Sequence, residues 1–291
     1  MRHATWLKIE ASPFWSSVYR GYRTLPESLR RPLRAVTMPR WQLATSLIRH
    51  AARHRAVAGP FRGMRIELSP LSSRHLLGYI LGTQELELHE AIGEIVARDY
   101  RTILNIGAAD GYYAVGLAMG LPQARVAAFE ALPEFHPLIA RTAAANGIAD
   151  RIAIAGACDV ALLRSRLQAA EAPVLIVMDI EGGEVDLLDP VTVPHLSHAD
   201  ILVETHDAFV ATATETLISR FRDTHELVCY AARPRVIDDF PEHFLPGLRR
   251  WLPDLAVELM NERRTGLQRW LLLTAKTPVS ATAITAIPAE A

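Results

Sequence analysis

A doubly wound α/β domain with a mostly parallel sheet is the fold class this sequence predicts, and three observations predict it. Strand-like and helix-like segments alternate regularly from residue 102 to residue 230. Several strand segments are continuous apolar runs, Val174-Leu-Ile-Val-Met178 being the clearest, as expected of strands covered by helices on both faces. A loop framed by Gly107 and Gly111 follows the first strand of the alternation and opens a helix, and Glu130 ends the second strand.

In chain order, residues 26–36 and 45–54 have helical character, with Pro32 interrupting the first and Pro39 separating the two. Residues 64–68 alternate like a short strand, and 85–96 place Leu86, Ile92 and Ile95 near one helical face. Strands are then expected over 102–106, 125–129, 152–154, 174–178, 201–203, 226–230 and 270–274. The helices between them are expected over 112–119, 134–145, 160–168, 184–188 and 211–221. Right-handed crossovers between such strands build a parallel sheet.

The chain has 291 residues, half of them hydrophobic, enough for a sizeable core. Charge is unevenly spread: the first 62 residues hold twelve of the 31 Lys and Arg but two of the 32 Asp and Glu. We therefore divide the chain into a basic helical extension (1–62), the α/β domain (63–276) and a loose tail rich in Ala, Thr and Pro (277–291). The preferred role of the extension is a cap on the domain. A nucleic-acid arm and a peripheral contact with a membrane surface stay open. No apolar run reaches membrane-spanning length and no apolar signal core follows Met1, so the expected location is cytoplasmic. Cys158 and Cys229 offer neither a disulfide framework nor metal-ligand spacing, and read as buried thiols.

Ligands of open α/β sheets bind at the carboxyl ends of the strands, so the residues after each strand carry the functional argument. In Asn105-Ile106-Gly107-Ala108-Ala109-Asp110-Gly111-Tyr112, small residues let a ligand approach the backbone, and the helix start offers N–H groups. Glu130 is placed to accept ribose hydroxyls. The Gly-x-Gly-x-x-Gly spacing of a dinucleotide site is absent, as is a triphosphate loop, so the loop suits a nucleoside without phosphates, such as S-adenosylmethionine.

The fourth strand runs into Asp179-Ile180-Glu181-Gly182-Gly183-Glu184, and the fifth into Glu204-Thr205-His206. Asp179, Glu204 and His206 are the expected catalytic residues, able to orient an acceptor hydroxyl and remove its proton. His206 reads equally well as a structural histidine. A divalent metal held by Asp179 and Glu204 is an alternative to a side-chain base. For Glu184 the preferred reading is charge complementing a helix dipole.

These strings resemble the FkbM family of S-adenosylmethionine-dependent methyltransferases over about residues 81–209, together with Gly82-Thr83-Gln84-Glu85 and Phe129-Glu130-Ala131. The resemblance implies a seven-stranded, Rossmann-like class I methyltransferase core and methyl transfer, usually to oxygen, on a sugar or secondary-metabolite acceptor. It implies that Gly107 and Gly111 line the methionine part of the cofactor and that Glu130 holds the ribose, with Asn105, Ala108, Asp110, Tyr112 and Ala131 as further expected cofactor-binding residues. Asp179 and Glu181 would border the methyl group, and Glu85 would cover the cofactor. Asn105 replaces the acid common at the first strand, and Gln84 a common Tyr. Rival readings are an RNA or amine N-methyltransferase, kept open by the basic extension, and a non-catalytic binding module, hinted at by Asn105. A nicotinamide oxidoreductase is disfavoured by the loop spacing.

Overall fold

A computed structural model describes residues 38–67, 69, 75–262 and 268–276, with a few isolated residues before them. In chain order the described elements are α1 (Pro39–Ala52), α2 (Leu76–Leu81), α3 (His89–Val96), β1 (Thr102–Ile106), α4 (Tyr112–Gly120), β2 (Arg125–Phe129), α5 (His136–Ala145), β3 (Ile152–Ala155), α6 (Val160–Gln168), β4 (Val174–Met178), α7 (Glu184–Leu187), β5 (Asp200–Thr205), α8 (Ala213–Phe221), β6 (His225–Ala231), α9 (Pro246–Trp251), α10 (Pro253–Leu259) and β7 (Arg269–Ala275).

The chain forms two compact units. The helical unit joins residues 1–63, 73–84 and 234–263. Its boundaries differ from the division drawn on charge, because residues 234–263, far along the chain, pack with the early helices. α1 starts with Pro39 in its first turn, where a missing N–H is harmless, and ends at Arg53 in the left-handed conformation. It buries Ala44, Ile48 and Ala52, while every residue of α2 is buried. Arg235 and Glu262 form a buried ion pair in this unit. The helix expected over 45–54 is thus present but begins at Pro39. The one expected over 26–36 lies largely outside the described residues, as does the tail after residue 276.

The second unit is the doubly wound sheet expected from the sequence, and it holds residues 64–72, 85–233 and 264–291. Its seven strands lie in the order β3-β2-β1-β4-β5-β7-β6. β1 to β5 are mutually parallel, and β7 runs antiparallel to both β5 and β6. All five residues of β4 are buried, as its unbroken apolar run requires. Leu104, Ile176, Val203 and Leu271 join Phe221 of α8 in one core. Strand order reverses between β1 and β4, so the loops after these two strands flank the crevice where such sheets bind ligands.

Three expectations change. Residues 64–67 form no strand; instead Arg65 receives and gives a hydrogen bond with the Asn146 side chain, at 2.8 Å each. The segment 85–96 is a 3-10 turn (Leu86–Leu88) followed by α3, because Glu85 enters it at φ +47. Neither cysteine is fully buried: Cys158 is half-buried and Cys229 exposed on the edge strand β6. No described helix is long and apolar enough to cross a membrane.

Candidate active site

The glycine loop is shaped by the closeness of β1 and β4. Asp179 N–H donates to Ile106 O at 3.0 Å, and a Cβ on Gly107 would lie 1.8 Å from Asp179 O. Gly107 also sits at φ +81, so no other residue fits there. The N–H groups of Gly107 and Ala108 donate to Phe129 O at 2.9 Å each, which ties the loop to the end of β2.

Beside that tie stands Glu130, buried at the end of β2. Its Oε2 accepts from Ala109 N–H and its Oε1 from Leu132 N–H, both at 2.8 Å. Two backbone donors therefore fix the carboxylate, and each oxygen keeps a lone pair for a ligand hydroxyl. Ala131, next in the chain, is exposed. Asn105, on β1, is buried; its Nδ2 donates to Val177 O at 3.3 Å, while its Oδ1 has no hydrogen-bond partner. An orphaned buried acceptor on the strand that feeds the glycine loop fits a donor group on a ligand. Ala108, Asp110 and Tyr112 are buried around the loop. Tyr113 packs edge-on against Tyr112 and at 5.8 Å from the ring of Trp270, and its hydroxyl donates to Glu85 Oε2.

The second cluster lies at the ends of β4 and β5. One ligand atom from each of Asp179, Glu204 and His206 lies within 4.8 Å of the other two. Glu204 and His206 are buried; Asp179 keeps 39% of its side chain exposed. Glu181 is exposed at φ +53, at the turn between β4 and α7. Glu184 stands in the first turn of α7, as expected, and has a second role. Glu184 is fully buried at the start of α7, and its Oε1 lies 2.6 Å from His206 Nδ1. Gly182 N–H donates to the same oxygen at 3.2 Å. Burial opposes charge on Glu184, but the His206 hydrogen bond and backbone donors hold its carboxyl below the ordinary range. Burial likewise opposes protonation of His206. The bond to Glu184 and the charges of Glu184, Asp179 and Glu181 outweigh it, so its pKa is raised.

The loop after His206 is anchored separately. Asp207 accepts from Thr214 N–H and from Arg269, both at 3.0 Å. Arg220 of α8 donates to Val185 O and, at 3.1 Å, to Leu188 O, pinning α7 and with it Glu184. The structure thus gathers Asp179, Glu204 and His206 as expected and adds Glu184, which sequence reasoning missed. Its partner lies 22 residues ahead, and a Glu in a first helical turn looks like an ordinary dipole complement. The string after β4, with Gly182 and Gly183 before Glu184, was the available signal: Gly182, at φ +113, turns the chain just ahead of Glu184.

No known sequence family matches this chain, and no curated protein matches it by sequence. Among solved structures it is similar to the O-methyltransferase TomG from Streptomyces achromogenes, involved in tomaymycin synthesis and solved with S-adenosylmethionine. The identity is 14%, the TM-score 0.46, and the match covers 77% of this chain and 99% of that one. It is also similar to an O-methyltransferase from Bacillus cereus solved with S-adenosylhomocysteine, at 13% identity and TM-score 0.42, over 85% of this chain and 97% of that one. Likenesses at this level decide nothing about chemistry, which must be read from the side chains.

Proposed function

We propose that the chain is an S-adenosylmethionine-dependent methyltransferase that methylates a hydroxyl of a small-molecule acceptor. The observation that carries the reading is Glu130, a buried carboxylate fixed by two backbone N–H groups beside a glycine loop at the sheet's reversal point. Such a carboxylate suits paired ribose hydroxyls. The loop at Gly107 and Gly111, without the spacing needed for a pyrophosphate, suits the methionine end, and Asn105 Oδ1 offers an acceptor to an amino group. Ala108, Asp110, Tyr112, Ala131, Glu181 and Glu85 are proposed to complete the cofactor's surroundings, Glu85 through its bond to Tyr113.

When bound, S-adenosylmethionine supplies a methyl group activated by a sulfonium, whose carbon–sulfur bond breaks as the new bond to the acceptor oxygen forms. The chain's own task is to align that oxygen and take up its proton. The cluster of Asp179, Glu204 and His206 supports this role, since it stands at the strand ends on the crevice side. Membership of the FkbM family, a sugar or secondary-metabolite acceptor and a cytoplasmic location belong to the same proposal. The first rests on the Asp179-Ile-Glu-Gly-Gly-Glu184 and Glu204-Thr-His206 strings and agrees with a sheet of seven strands.

Titration calorimetry tests the reading. S-adenosylmethionine and S-adenosylhomocysteine should both release heat, Glu130→Ala should abolish it, and a pool of hydroxyl acceptors should drive formation of S-adenosylhomocysteine. Heat with a phosphorylated dinucleotide, and none with either sulfur compound, would overturn it.

A further inference from the structure

Building on the reading that this site prepares an acceptor hydroxyl, we propose that Asp179, Glu204 and His206 bind a divalent transition-metal cation. The cation is Mn2+ or Zn2+ ahead of Mg2+ or Ca2+, and it takes the acceptor oxygen as a further ligand. Geometry is the first ground. A six-coordinate cation with ligands at roughly 2.1 Å sets neighbouring ligands about 3 Å apart and opposite ones about 4.2 Å apart. His206 Nε2 and Asp179 Oδ1 are 3.6 Å apart, inside that span, and all three ligand atoms fall within 4.8 Å. Closing the set requires tenths of an ångström, which the part-exposed Asp179 side chain can supply by rotation.

The tautomer of His206 is the second ground, and it separates this cluster from a mere gathering of acids. Glu184 is fully buried, and as a carboxylate it only accepts, so the 2.6 Å contact puts the ring proton on Nδ1. Nε2 is then the nitrogen that faces Asp179, and the one a cation can take by displacing a proton. His206 is itself 93% buried by its 7% exposure, and its Nε2 lies beyond hydrogen-bonding distance of Asp179 Oδ1. Beside carboxylate oxygens this nitrogen carries a proton or, in its place, a cation, and 3.6 Å is too long for the proton to make a hydrogen bond. A buried carboxylate behind the far nitrogen is how a ligating histidine is commonly held.

Donor chemistry selects the ion. An all-oxygen set suits Mg2+ and Ca2+, whereas an imidazole nitrogen beside two carboxylates favours first-row transition metals. Asp179 and Glu204 come from neighbouring strand ends, next to the crevice between β1 and β4, so a side of the cation left open by the chain can take a substrate oxygen.

The test uses the full-length protein, stripped with a chelator and dialysed. Mn2+ and Zn2+ are titrated by calorimetry, and free Mn2+ is followed by its paramagnetic resonance signal, with no cofactor or acceptor present. One equivalent of Mn2+ should bind, more tightly than Mg2+ or Ca2+. Glu184→Gln should weaken it about 10–100-fold by loosening the histidine. Asp179→Asn, at a part-exposed side chain that tolerates change, should weaken it further while circular dichroism stays unaltered. Absence of Mn2+ and Zn2+ binding, or binding indifferent to Asp179→Asn and Glu184→Gln, overturns the proposal. S-adenosylhomocysteine is titrated in parallel. Binding of it without metal removes the cation site and leaves methyl transfer with His206 as base. Metal binding without it supports the cation site and removes the methyl-transfer reading.

Discussion

At the scale of single residues, Gly107 and Glu184 carry the site in different ways. Gly107 combines a left-handed φ of +81 with a Cβ position 1.8 Å from the backbone oxygen of Asp179. Gly147 has a similar φ of +72 but nothing within 4 Å of its would-be Cβ. Gly147→Ala should therefore lose only the conformational term, about 1–2 kcal/mol. Gly107→Ala adds a backbone clash and should lose roughly 2–5 kcal/mol, or displace the β4 loop. Urea unfolding of the two variants side by side checks this; equal losses would mean that the β1 and β4 loops are not held together. Glu184 is tested by two substitutions. Glu184→Ala strands a buried imidazole N–H and opens a cavity, a loss of about 2–4 kcal/mol. Glu184→Gln keeps an oxygen for Nδ1 and should lose about half as much. Gly107 was legible in the sequence because a glycine before a turn announces a special conformation. Glu184 was not, because only the tertiary fold brings His206 to it.

At the scale of elements, β1, β2, β4 and α6 appear over the residues expected, and β3, β5, β6 and β7 extend by a residue or two at their ends. Continuous apolar runs made this possible, since strands buried on both faces state their limits by hydrophobicity alone. The segment 64–68 was misread because alternating apolar residues also suit a stretch that buries Met64 and Ile66 without forming a strand. Sequence also says nothing of how α8 serves the site through Arg220. Arg220→Met should free the carbonyls of Val185 and Leu188, raise amide exchange across α7, and destabilise the sheet unit by about 1–3 kcal/mol. The start of β6 makes a pH prediction. Burial of His225 lowers its pKa, although Ala199 O, 3.0 Å from Nε2, works the other way. A histidine with a lowered folded pKa binds protons more readily when unfolded. Its contribution is fully present above the unfolded value near 6.5 and is lost as pH falls below it toward the folded value. His206, with its raised pKa, works in the opposite sense over this range, so the test is a difference: from pH 7.5 to 5.5 the urea midpoint of the unaltered protein should fall relative to that of His225→Gln. A slope unchanged by the substitution would assign the effect to other groups.

At the scale of the whole molecule, the parallel sheet could be foreseen because strand–helix alternation calls for right-handed crossovers, whereas its strand order was not legible. The helical unit could not, because charge marked out the first 62 residues but gave no sign that residues 234–263 pack with them. Two compact units imply that a ligand of the sheet acts first on that unit's stability. Any compound that binds the folded state alone adds RT ln(1 + [L]/Kd), about 2.7 kcal/mol at a hundredfold excess over Kd. For a unit of this size that is roughly a 5–10 °C rise in midpoint. Trp270 provides the reporter: it is fully buried on β7, contacts Tyr113, and is the one tryptophan in the sequence segments assigned to the sheet unit. The melting transition seen through Trp270, with the other four tryptophans changed to Phe, should move up with S-adenosylhomocysteine and stay fixed with nicotinamide dinucleotides or ATP. Glu130→Ala should cancel the shift without lowering the ligand-free midpoint by more than a few degrees, because the Ala109 and Leu132 N–H groups it leaves lie next to an exposed turn that water can reach. A shift that survives Glu130→Ala would place the nucleoside somewhere other than the end of β2.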